Sequence, residues 1–140
     1  MTKRIDKLCL VKERAVDAAE GELAKARAST TAAEHALAAT EQTWQHMLDR
    51  YGAANSIDDL VDMDARARSL RQAVQRAEAV LKTKRVEEER VRAAMTAART
   101  ELRRFEIWGE RADAAAVATT GRLTRNAEDA LAARSRGNHE

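Results

Sequence analysis

Tyr51-Gly52-Ala53-Ala54-Asn55-Ser56-Ile57-Asp58-Asp59 is the one stretch where helix-forming sequence stops and restarts. Gly52 and Asn55 are residue types that accept a left-handed backbone after a helix, and Ser56 is placed to cap a second helix carrying Asp58 and Asp59 in its first turn. The reading is an all-α fold, a long antiparallel two-helix coiled-coil hairpin. Its expected parts are a first arm over about residues 3–53, a turn at about 52–56, a second arm over about 57–134 and a frayed tail at 135–140, together one elongated unit.

The composition supports this. The chain has no proline, is rich in Ala, Leu, Glu, Arg and Lys, and carries 34% charged residues against 3% aromatics. Such a composition gives high helicity but few large side chains for a thick core, so an elongated form is expected. The 25 basic and 23 acidic residues are interspersed along the arms, which describes a solvated coiled-coil exterior better than a nucleic-acid footprint. One cysteine, Cys9, allows no internal disulfide, so a reducing cytosol is the expected compartment. The apolar run Leu8-Cys9-Leu10-Val11 is too short for a secretory signal, and no stretch reads as a membrane span.

Working outward from the turn, the first arm carries one seven-residue series of Cys9, Val16, Leu23, Thr30, Leu37, Trp44 and Tyr51. A second, offset by three, holds Lys12, Ala19, Ala26, Ala33, Thr40, Met47 and Ala54. This is a heptad stripe with one large and one small row. The second arm repeats it with Leu60, Ala67, Val74, Leu81, Glu88, Met95 and Leu102 beside Met63, Leu70, Ala77, Lys84, Val91, Ala98 and Phe105. Lys84 and Glu88 interrupt the seam, and a polar register lock is the reading preferred to a hinge. Folding the chain back near Asn55 sets Trp44 and Met47 near Met63 and Ala67. It sets Ile5 near Leu102 and Phe105.

The first arm is then used up, and everything after about Trp108 is expected to form an overhanging C-terminal helix. Its roughly 30 residues would reach about 45 Å at about 1.5 Å per residue. The stripe there weakens to Gly109, Ala112, Ala116, Thr119, Leu123, Asn126, Ala130 and Ala133, which offers little to bury. Charge is uneven too. The turn end of the hairpin is expected to collect Asp49, Asp58, Asp59, Asp62 and Asp64, and the open end Lys3, Arg4, Lys7, Arg103, Arg104 and Arg111.

The sequence does not read as an enzyme. A helical hairpin offers no pocket that excludes water, the glycines form no phosphate loop, and Glu87-Glu88-Glu89 face different directions round a helix. No cofactor is expected. His35 and His46 lie about 16 Å apart along a helix, too far to share a metal. Basic residues alternate with acidic ones and no aromatic row accompanies them, so nucleic acid is not an expected partner. The rare aromatics Trp44, Tyr51, Phe105 and Trp108 are expected to clamp the two ends of the hairpin, with Trp108 the better candidate for a partner anchor.

The opening Lys3-Arg4-Ile5-Asp6-Lys7-Leu8 with Leu10 and Val11, the long Ala/Glu/Arg arms, the turn before Asp58-Asp59-Leu60 and the closing Arg125-Asn126-Ala127-Glu128-Asp129-Ala130-Leu131-Ala132-Ala133-Arg134 together carry a resemblance over nearly the whole chain. The chain resembles the small cytoplasmic stalk proteins of bacterial type III secretion and flagellar export, the FliJ/YscO type. That resemblance implies a non-enzymatic shaft whose terminal end enters a hexameric secretion ATPase while its body reaches the cytoplasmic domain of the export gate, with export chaperones as further partners. On it, Ile5, Leu8, Arg104, Phe105, Trp108 and Arg111 are expected to meet the ATPase, and Tyr51, Asp58, Asp59 and Asp62 the gate. A monomer in the bacterial cytoplasm, peripheral to the secretion apparatus, is expected. The alternative is a generic scaffold coiled coil in which the same stripes pair between chains as a dimeric tether.

Overall fold

The structure, a computed structural model, describes residues 2–138. Two helices, α1 (Thr2–Asp49) and α2 (Ile57–Gly137), are joined by a 3-10 turn at Arg50–Ala53 and three further residues. The absence of proline leaves both helices unbroken over 48 and 81 residues. The chain forms two compact units, one of Asp17–Thr96 containing the turn, the other of the stretches before Asp17 and after Thr96. Within each, α1 and α2 pack antiparallel, as the heptads predict. Of the tail expected over 135–140, residues 139–140 lie outside the described residues.

The turn works differently from the sequence expectation. Neither Gly52 nor Asn55 adopts a left-handed backbone; no described residue has positive φ. The chain instead tightens into the 3-10 turn and leaves it through Ala54, which is extended at φ −69° and ψ 127° and whose N–H donates to the Tyr51 carbonyl at 3.4 Å. Ser56 then starts α2 as expected. Its Oγ accepts from the Asp59 N–H at 3.1 Å, satisfying a donor that a helix start leaves open, and its carbonyl accepts the first regular helical bond from the Leu60 N–H at 3.2 Å.

In the Asp17–Thr96 unit, Leu23, Thr30, Ala33 and Met47 of α1 are buried with Val74, Leu81 and Val91 of α2. All lie on the heptad rows, because only those rows face the other helix. The seam contains a polar layer. Thr30 Oγ1 donates to the Ala26 carbonyl at 3.0 Å and reaches across to the Lys84 carbonyl at 3.4 Å, so a buried hydroxyl is satisfied on both helices. Beside it Glu88 sits between Arg27 and Arg92, each at 3.9 Å, and Arg85 reaches Glu34 at 3.7 Å. Other registers would take Thr30 from the Lys84 carbonyl and Glu88 from Arg27, leaving each only its partner on its own helix, so the layer favours this alignment.

In the other unit Val16 is buried, Lys12 reaches Glu101 at 4.0 Å, and Ile5 lies against Gly109. This corrects the expected register. Ile5 sits about one helical turn further along α2 than Phe105 and about two further than Leu102, the neighbours read from the sequence. The reason lies at the turn, where Leu60, read as the first seam residue, is 45% exposed and Met63 is the first of the α2 rows to be covered. The first turn of α2 stands outside the seam, and every later pairing shifts accordingly.

A separate overhanging C-terminal helix is not present. Residues 109–137 continue α2 without a break. The weak stripe there changes burial rather than backbone: from Asp113 to Asn138 every residue is exposed except half-buried Gly121.

The glycines give a test of the packing. Nothing lies within 4 Å of a Cβ added at Gly21, whereas one added at Gly109 would come within 3.2 Å of Ile5 Cγ2. Gly21→Ala is expected to stabilise the fold by up to about 1 kcal/mol through helix propensity. Gly109→Ala should gain less or lose, because Ile5 must give way. Parallel urea titrations check this, and equal gains at both sites would mean that Ile5 does not seat on Gly109.

Candidate functional site

The sequence singles out two sets of residues, and each falls within one unit. In the unit outside Asp17–Thr96, Phe105 and Trp108 project from successive turns of α2 as an edge-to-face pair, with ring centroids 5.2 Å apart and planes at 77°. Lys12 of α1 places its ammonium 5.5 Å from the Phe105 centroid and also approaches Glu101, so a cation bridges ring and carboxylate. Phe105 is half-buried by these contacts, while Trp108 keeps 55% of its surface exposed. The seam thus uses one aromatic and presents the other.

The remaining expected residues of this set divide similarly. Ile5 packs on Gly109, and Leu8 is 42% exposed, continuous in sequence with exposed Leu10 and Val11. Arg104 is committed to Glu101 at 3.1 Å, and Arg103 to Glu106 and Glu110 at 3.2 and 3.4 Å. Those hydrogen bonds and carboxylates raise the Arg103 pKa further. These are solvent-screened pairs that shape the charge pattern more than they stabilise the fold. Arg111 is exposed.

Cys9 is half-buried in the same unit. Desolvation first, then the charges of Asp6, Glu106 and Glu13, push its thiol pKa up, so the thiolate that reacts is scarcer at neutral pH than for an ordinary cysteine. Alkylation by iodoacetamide at pH 7.5 is expected to be slower than for glutathione and to reach the ordinary rate in 6 M urea. A native rate equal to that of glutathione would contradict this environment.

At the turn, Tyr51 is half-buried while Asp58, Asp59 and Asp62 are exposed. Asp64, one turn from Leu60, is instead paired with Arg68. The apolar residues beside the acids were not singled out from the sequence: Ile57 and Val61 are among the most exposed aliphatic residues of the chain. Their signal was present, since both are aliphatic yet off the heptad rows. Leu10, Val11 and Val86 share that signature and are exposed as well.

Among the described residues no group of three or more His, Cys, Asp and Glu is arranged to hold a metal. No described helix is long and apolar enough to cross a membrane. What the two surfaces offer is recognition: an exposed indole packed on Phe105 in one unit, and carboxylates next to exposed aliphatic residues in the other.

No curated protein matches the chain, and neither does any solved structure. The family model described as flagellar FliJ protein matches residues 1–139, nearly the full sequence, and agrees with the paired helices and heptad seam. The chain belongs to the FliJ family, the stalk proteins of the flagellar and type III export ATPase, and is a non-catalytic structural component of the export apparatus.

Proposed function

We propose that this chain acts as the central stalk of a type III export apparatus, with the Phe105–Trp108 surface and the exposed end of α2 entering the hexameric export ATPase. The observation that carries the reading is the unbroken helix from Asp113 to Gly137, exposed at every residue but Gly121, with the exposed Trp108 on the same helix little more than one turn before it. A helix that the chain itself leaves uncovered is available to a ring that surrounds it. Ile5, Leu8, Arg104 and Arg111 complete this contact. Tyr51, Asp58, Asp59 and Asp62 address the cytoplasmic domain of the export gate, and export chaperones are a further class of partner. The family's cytoplasmic place in the apparatus is where such a stalk would act.

From Cys9 to Ala54 and from Met63 to Phe105 the heptad rows are covered within one chain, which favours a monomer over a dimeric tether. Light scattering that found a concentration-independent dimer would favour the tether instead. The main test is co-purification with the export ATPase and measurement of hydrolysis with and without this chain. Binding with stimulation is expected; no binding and no stimulation would end the stalk reading.

A further inference from the structure

The first turn of α2 carries an apolar face that the chain does not use. Ile57, Leu60 and Val61 stand at i, i+3 and i+4, on one side of the helix, and are 79%, 45% and 61% exposed. Leu60 is in register with the seam but lies before its first covered layer, and Ile57 and Val61 are off the seam altogether. Three aliphatic residues gathered on one exposed face are more than scattered surface leucines and valines need to be.

Carboxylates edge that face. Asp58 and Asp62 each follow one of the exposed aliphatic residues, Ile57 and Val61, and so form a row along its border, with Asp59 next round the helix. Between Ile57 and Ala65 there are four aspartates and no Lys or Arg. Only Asp64 is paired, with Arg68. The other three make no ion pair among the described residues. Further along α2, Glu87, Glu88, Glu89, Glu101, Glu106 and Glu110 pair with arginines, and the acids without an ion pair among the described residues, such as Glu78 and Asp113, do not cluster beside exposed aliphatic residues as these do. The helix dipole accounts for acids at Asp58 and Asp59 but not for Asp62, which lies past the first turn.

We infer that this face takes a basic amphipathic helix of a partner protein, its apolar residues seated on Ile57, Leu60 and Val61 and its Lys or Arg residues against Asp58 and Asp62 on the flank beside Val61. The inference rests on the reading of the turn as a partner surface and names the chemistry of what it binds. A helix laid on the face covers the aliphatic side chains, which an extended strand spaced for alternate residues would not match. Carboxylates that lose water on binding need cations to replace it, so an acidic or neutral partner helix would be rejected. Anionic membrane is repelled by the same charges.

The test uses the full chain, labelled with nitrogen-15, and three synthetic helical peptides of one length. The first has Leu at i, i+3, i+4 and i+7 with Lys elsewhere; the second has Glu in place of Lys; the third has the first's composition in permuted order. The Leu/Lys peptide is expected to shift the amide signals of residues 57–62 and to weaken by about tenfold or more as salt rises from about 50 to 300 mM. Asp58→Asn with Asp62→Asn should remove most of that salt dependence, and Val61→Ser should lower affinity about tenfold. Both variants alter exposed groups, and circular dichroism verifies their helicity.

Equal binding of the permuted or Glu peptide, shifts confined to other residues, or shifts that follow protein concentration alone, as self-association would give, overturns the inference. The purified export-gate domain separates it from the broader reading. If the Leu/Lys peptide binds at 57–62 and the gate domain does not, the gate assignment fails alone. If the gate domain binds there with affinity unchanged by Asp58→Asn with Asp62→Asn and by Val61→Ser, this inference fails alone.

Discussion

Leu23→Ala and Leu81→Ala are each expected to destabilise the fold by about 2–3 kcal/mol, and the double variant by nearly the sum. Leu23 is 4% and Leu81 6% exposed, among the most buried side chains of the seam. The expected cost sits toward the lower end for a buried leucine, because two helices close on a deleted side chain more readily than a thick core does. Near-additivity follows from position. Arg27 pairs with Glu88, so Leu23 lies beyond that level on one side of the polar layer, while Leu81 lines a groove with Leu37 on the other side. For a domain of ordinary stability, about 5–15 kcal/mol, the double loss is a large share. Leu123→Ala, at a position 65% exposed, should leave the unfolding midpoint where it is. Urea titrations followed by circular dichroism check all four proteins, and unchanged midpoints for the two buried leucines would show that the heptad rows are not the core.

Much of this was legible because a two-helix seam is nearly one-dimensional. Whether a residue is buried depends on its row, and the rows are written at seven-residue spacing. Hence Leu23, Thr30, Leu81 and Val91 were readable as seam residues without coordinates, and even a threonine in the large row was correctly placed. The start of α2 was readable for a local reason, since a serine followed by two aspartates satisfies and complements a helix N-terminus.

Register was less legible. It depends on how many residues the reversal consumes, and a 3-10 turn followed by an extended Ala54 uses them differently from the left-handed turn that Gly52 and Asn55 suggest. An error of about one turn there left the rows intact, because i+4 neighbours share a face, but moved Ile5 from Phe105 to Gly109. Partner surfaces were legible only in part. Aspartates and tryptophan draw attention as residue types, whereas Ile57 and Val61 look like ordinary core residues until their exposure is seen.

Ending the chain after Ala112 is expected to separate function from folding. Beyond that residue α2 is exposed except at Gly121, so its removal takes away helix but almost no covered side chain, and the unfolding midpoint should hold. If α2 enters the ring as proposed, stimulation of the export ATPase should be lost, because about 38 Å of that helix is gone. Binding should weaken without vanishing, since Phe105 and Trp108 remain. Trp108→Ala in the full chain is the complementary change. It removes an indole that is 55% exposed and only edge-packed on Phe105, so its cost to stability is expected to be small, while the loss of a tryptophan anchor should weaken ATPase binding about thirtyfold. The two variants together locate the contact: one keeps the anchor and loses the helix, the other keeps the helix and loses the anchor. A truncated chain that still bound and stimulated the ATPase fully would place the contact elsewhere on the hairpin. A truncated chain that unfolded at markedly lower urea would mean that residues 113–138 belong to the folded core and are not held out for a partner.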